Sequence, residues 1–268
     1  MRRTFNLVVL LLVLLATIAT PSAGARKNVP LQRDTKAISL LEKMAFFLAG
    51  TQRFSVDIRS GYDVVEKSGQ KIEFGEVRHI RVSRPDHLRI EIERGNEEKG
   101  LVVFNGKDIT IYIANDNVYA TTSKPGNLDQ AIRHAVADLK IRVPLSVMLL
   151  SNFPAEIQTR VIAADYVEKA TIADVPCDHI AARTADGVDF QVWMARGDQP
   201  LPRRVVITYK QQKGQPQYWA DLTNWNLSPD TSDALFEFAP PTGAEQIPFL
   251  AEIQSATTKA APRKGGKK

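Results

Sequence analysis

The chain has 268 residues, 44% apolar and 24% charged, a globular balance that excludes wholesale disorder. Its formal charge of +5 sits at the ends. Without Arg2, Arg3, Lys259, Arg263, Lys264, Lys267 and Lys268, 28 bases face 30 acids. No basic face is left to neutralise phosphates, which excludes a nucleic-acid partner.

Residues 1–25 read as a signal peptide. Arg2 and Arg3 precede an apolar run at 7–18, broken only by Thr17, and Ala23-Gly24-Ala25 offers a cleavage site. The run has about twelve residues, too short to span a bilayer. No second long apolar run follows, so the chain does not read as membrane-spanning. Residues 26–253 are expected to form one domain. Residues 254–268 read as a disordered basic tail, able to attach weakly to anionic lipid through about 1 kcal/mol per basic residue. Cys177 is the single cysteine. It permits no intramolecular disulfide, and no Cys near the cleavage site offers a lipid anchor.

Asp34 can cap a helix, whose stripe of Ala37, Leu41, Met44 and Leu48 ends at Gly50. From Arg53 the period becomes two. Phe54, Val56 and Ile58 alternate, Ser68-Gly69 turns, and Ile72, Phe74, Ile80 and Val82 follow. Glu76 and Arg78 interrupt that row, and a bulge is expected at Val77. Leu88, Ile90 and Ile92 form a third strand. Asn105-Gly106 is a hairpin turn between 101–104 and 109–113, and 118–122 completes a six-strand meander. Asn127 can cap a second helix through Leu139, and Pro144 can start a third with Leu145, Met148, Leu149 and Leu150. Strands are then expected at 166–172, 177–183, 188–194, 203–210, 217–227 and 236–238. Hairpin-length links exclude a parallel sheet. The fold class is mainly β (α+β): one highly curved antiparallel sheet, an unclosed barrel of about eleven or twelve strands, with helices on its concave face.

This order resembles a domain-of-unknown-function family of predicted periplasmic proteins, with a fold like the outer-membrane lipoprotein carrier LolA. The resembling stretches are Arg84-Pro85-Asp86-His87-Leu88-Arg89, Phe104-Asn105-Gly106-Lys107, Asp174-Val175-Pro176-Cys177-Asp178-His179, and 201–209. The closing Leu235-Phe236-Glu237-Phe238-Ala239-Pro240-Pro241 fits too. The resemblance implies an apolar cavity between sheet and helices, and relatives that carry acyl chains or sense envelope state.

Cys177 and His179 share a strand face, yet nothing orients the His and no third ligand sits at metal spacing. His79, His87 and His134 are scattered over different elements. Neither catalysis, a metal nor a cofactor is expected. The apolar row carries more: Phe54, Val56, Ile58, Phe74, Leu88, Ile90, Ile109 and Ile111 line the expected cavity, and Leu145, Met148 and Leu149 cover it. Arg84 and Arg89 are expected to meet a headgroup at its mouth. Trp193, Trp219 and Trp225 are expected on the opposite face. The reading is a monomeric, exported, non-enzymatic binding protein, a periplasmic carrier or sensor of a lipid or lipoprotein acyl chain. The alternative is an envelope protein–protein interaction module with a dry core and no small ligand.

Overall fold

The computed structural model describes residues 33–141 and 143–249. The expected signal peptide (1–25) and basic tail (254–268) lie outside the described residues. Among the described residues, no helix is long and apolar enough to cross a membrane.

Helix α1 (Thr35–Gly50) forms where the apolar stripe begins. Asp34 caps it, accepting from the Lys36 amide at 2.8 Å, and its other oxygen accepts from the Tyr166 amide at 3.3 Å. The buried face is Ala37, Leu41, Met44, Ala45 and Leu48. Leu41 is fully buried, so Leu41→Ala is expected to cost about 2–5 kcal/mol. A shift of the urea midpoint with an unchanged slope checks this.

The first meander is β1 (Arg53–Val65), β2 (Lys71–Ser83), β3 (His87–Arg94), β4 (Lys99–Asn105), β5 (Asp108–Ile113) and β6 (Val118–Ser123). Helix α2 (Leu128–Ala137) carries a complete capping box between Asn127 and Gln130. A 3-10 turn (Ser146–Leu149) and α3 (Phe153–Arg160) follow. The second meander is β7 (Val161–Ile172), β8 (Val175–Thr184), β9 (Val188–Ala195), β10 (Pro202–Tyr209) and β11 (Gln217–Asn226). The short β12 (Glu245–Gln246) comes last.

All twelve strands join one sheet in the order β12-β6-β5-β4-β3-β2-β1-β11-β10-β9-β8-β7. The two meanders meet where β1 pairs β11. Every pairing is antiparallel except that of β12 with β6. The edges β12 and β7 do not pair, so the barrel is unclosed. Inward residues of β1 and of the distant β9 and β10 all pack in one core with the helices, which requires the sheet to curl around them.

Three expectations need correction. Strands β1 and β2 pair without interruption from Arg53↔Ser83 to Val65↔Lys71, so no bulge exists at Val77. Pro144 opens only a 3-10 turn, because Leu145 is left-handed at φ 63°. The α-helix comes later, as α3 with Pro154 in its first turn. Residues 236–238 are not a strand. A 3-10 turn (Asp233–Phe236) lays the buried Phe236 against the His87 ring at 4.9 Å, on the convex face.

Candidate ligand cavity

Two apolar cavities lie between sheet and helices. The larger, about 200 Å³, is walled by β1–β5, by α2, and by Val143, Pro144, Leu145, Met148 and Leu149. The smaller, about 150 Å³, is walled by β9, β10, α3 and Met44 of α1. Leu145 and Met148 wall both. The partition is therefore one 3-10 turn, entered through a left-handed leucine. Such a backbone costs a branched side chain about 1–3 kcal/mol. An apolar cavity of about 150 Å³ accepts a benzene-sized guest, whereas pockets for larger ligands begin near 300 Å³. Neither compartment reaches that alone, and the two together exceed it.

Ten of the eleven apolar residues expected from sequence meet on the larger cavity: Phe54, Val56, Ile58, Leu88, Ile90, Ile109, Ile111, Leu145, Met148 and Leu149. Phe74 does not. It is 47% exposed and stacks on Tyr62 at 5.9 Å. The first five residues of β2 pair only with β1, because β3 joins β2 from Glu76 onward. Phe74 thus projects beyond the face that the helices cover.

The two expected headgroup cations also lie elsewhere. Arg84 donates from Nε to the Thr51 carbonyl at 3.2 Å, at the end of α1. Burial lowers its pKa, and Asp129 offsets part of that. Arg89 alternates with inward Leu88 and Ile90 and so faces outward. It donates to Glu91 at 2.9 Å and to the Leu235 carbonyl at 3.2 Å. The arginines on the cavity wall are Arg78 and Arg94.

With no bulge at Val77, Glu76 and Arg78 stay on the inner face with Ile80 and Val82. They form an ion pair inside the barrel. Register sets Ser60 opposite Glu76, with Arg94 on the far side of Glu76. The Tyr218 hydroxyl lies beside Ser60 Oγ without the geometry of a hydrogen bond, and neither has a protein partner. Burial raises the Tyr218 phenol, with Ser60 and Arg78 offsetting part of the rise. Its folded pKa therefore stands above the unfolded value near 10. The unfolded chain ionises first as pH rises. Stability is intact below pH 10 and falls as pH climbs from about 10 to the folded value. Tyr218→Phe is expected to leave the urea midpoint at pH 8 unchanged or higher and to lose less of it at pH 11.

Cys177 and His179 each bond other partners. The buried thiol donates to the Val175 carbonyl at 3.3 Å, and burial pushes its pKa up, away from the thiolate. His179 bonds Gln191 at 3.1 Å and stacks on Trp193 at 3.9 Å. His79, His87 and His134 each bond a different aspartate: Asp57, Asp86 and Asp138. Trp193 and Trp219 lie on the convex face, where the Arg204 guanidinium sits 6.0 and 5.7 Å from their rings. Trp225 instead turns inward, 5.6 Å from the Phe54 ring, and joins the cavity wall. The cause is a bulge. Between the pairs Asp57↔Thr223 and Ser55↔Asn226, β11 holds one extra residue, and Asn224 is left-handed at φ 52°.

Residues 37–250 match the family described as predicted periplasmic protein (DUF2092). The chain belongs to this family. The resemblance read from the sequence points to the same family, whose description gives a periplasmic setting. No curated protein matches the chain. Among solved structures, the chain is similar to the Mycobacterium tuberculosis lipoprotein LppX. That match has 13% identity, 74% of this chain, all of that one and a TM-score of 0.46. It is similar to LprF from Mycobacterium bovis at 14% identity, over 80% of this chain and 99% of that one, TM-score 0.47. It is also similar to a LolA superfamily protein from Nitrosomonas europaea, at 13% identity over 75% and 97%, TM-score 0.38. Nothing about a ligand follows from likenesses at this level.

Proposed function

We propose that this DUF2092 protein is an exported periplasmic binding protein that encloses an acyl chain. It carries or senses a lipid or an acylated protein, as a monomer and without chemistry of its own. The observation behind this reading is the pair of apolar cavities parted by Leu145 and Met148. Protein interiors are close-packed, and each methyl-sized void costs about 1 kcal/mol. Cavities of this size, beneath one strained turn, are space for a guest that enters when the turn moves.

A monoacylglycerol series tests the reading, each member displacing a fluorescent apolar probe. Each added CH₂ buried contributes about 0.8 kcal/mol, close to fourfold in Kd. Affinity is expected to rise at that slope until the first compartment fills, pause, and rise again as the partition yields. No displacement at any length from about eight to about sixteen carbons contradicts the proposal.

One feature favours the alternative, an envelope interaction module. His179, Trp193, Arg204 and Trp219 form a stacked row across four strands of the convex face, and aromatic and arginine side chains dominate protein interfaces. That reading expects a flat chain-length series.

A further inference from the structure

The larger cavity is apolar everywhere except at one end. There the wall carries Arg78 and Arg94, with Glu76, Ser60 and Tyr218 immediately behind them in the inner rows of β2, β1 and β11. This is an unusual place for polar side chains. Ser60 is 1% exposed, Tyr218 2% and Glu76 8%. Buried polar atoms in folded proteins nearly always find a partner, yet three here have none in the protein: Arg78 Nε, Ser60 Oγ and Tyr218 OH. All three can donate a hydrogen bond. These three donors are free to meet an acceptor at that end of the cavity.

Charge decides what kind of acceptor fits. Arg78 is already neutralised by Glu76, and Arg94 by Glu98. No cation is left over to hold an anion. A carboxylate brought to the three donors would be desolvated beside the carboxylate of Glu76, which like-charge repulsion opposes. An uncharged carbonyl oxygen meets the donors without that conflict.

Building on the acyl-cavity proposal, we infer that this end is a headgroup subsite for an uncharged acyl carbonyl. Its ligand is a chain still esterified or amide-linked to its glycerol or protein. A free fatty acid anion is discriminated against. The preference comes from charge: a carboxylate at the donors is desolvated beside the Glu76 carboxylate, and an uncharged carbonyl is not. The apolar part of the cavity holds the chain, and the Ser60–Arg78–Tyr218 end reads what the chain is attached to.

The experiment uses the full-length protein, exported and purified without detergent, with N-phenyl-1-naphthylamine as the reporter of the apolar compartment. Monodecanoylglycerol and decanoate at pH 8 compete with it, below their micellar concentrations. The wild type is expected to release the probe to the ester at a concentration lower by about tenfold or more than to the carboxylate. Glu76→Met/Arg78→Met removes the polar pair without leaving an unpaired charge. It is expected to keep the fold, read from its urea midpoint, and, with each ligand's release measured against the variant's own probe affinity, to lose at least half of the logarithmic preference. Tyr218→Phe, with the ion pair intact, is expected to lose part of it. Equal competition by the two ligands in the wild type overturns the assignment. So does tighter carboxylate binding, or a preference untouched in both variants. Probe binding with no ester preference leaves the acyl cavity standing and removes only the subsite. Failure of the probe to bind the wild type overturns the cavity and the subsite together.

Discussion

Ala135→Phe is expected to leave the protein at least as stable as the wild type and to lower its affinity for an acyl ligand by about tenfold or more. Ala135 lies on α2 and looks into the larger cavity without being fully buried itself. A phenyl ring placed there occupies space that is already empty. It displaces no packed neighbour, and filling a cavity commonly stabilises a folded protein. The same ring denies the ligand several methylenes of contact. Two lost CH₂ groups, at about 0.8 kcal/mol each, already account for a tenfold loss. The checks are a urea midpoint and a probe titration on the same preparation. A dry core gives the opposite pattern: the ring has nowhere to go, and overpacking costs about 1–3 kcal/mol.

The second large effect concerns the ion pair inside the barrel. Glu76→Met alone leaves the Arg78 guanidinium buried and uncompensated, at a cost of about 3–5 kcal/mol. For a domain of this size each kcal/mol moves Tm by about 2–4 °C, so the single variant is expected to melt far below the wild type. Glu76→Met/Arg78→Met is expected to be neutral or more stable, because apolar side chains in the same space need no desolvation. A thermal melt of both variants separates the two results. If the single variant melts with the wild type, Arg78 has reached solvent and the inner polar end is not closed. The comparison also bears on why the pair is there. A pair that can be removed without loss of stability is not there to hold the fold.

Much of this architecture was legible because a strand repeats every two residues. Phe54/Val56/Ile58, Leu88/Ile90 and Ile109/Ile111 alternate cleanly, so their common face followed from spacing, and ten predicted wall residues do meet there. Asn105-Gly106 marked its hairpin because the turn places Gly106 at φ 84°. The features missed share a cause: each depends on something that alternation does not encode. Glu76 and Arg78 kept the parity of Ile80 and Val82, but charges are expected to face water, so the unbroken row read as a bulge. Trp225 changed face through one left-handed residue, Asn224, and an Asn before an aromatic is a weak signal for a bulge. Phe74 has the right parity, but parity does not say where the next strand ends. Helix α3 carries only Phe153, Pro154 and Ile157 on its buried side, too few to show a helical period. Arg84 and Arg89 are held away from the cavity mouth by the Thr51 and Leu235 carbonyls, partners far away in sequence that strand spacing does not encode.

The partition at Leu145 and Met148 links these observations to function. It is a four-residue 3-10 turn between α2 and α3, and it walls both compartments. Short 3-10 segments have poorer hydrogen-bond geometry than α-helices. A strained, short element is the one expected to yield when a chain longer than either compartment enters.

The most direct measurement is native mass spectrometry of the chain after export to a bacterial periplasm and purification without detergent. Masses under native and denaturing conditions are compared, and the released material is extracted and identified. A stoichiometric adduct that dissociates on denaturation is expected, an acyl lipid with its carbonyl esterified or amide-linked. A single unliganded mass that takes up neither added monoacylglycerol nor phospholipid would contradict the proposal.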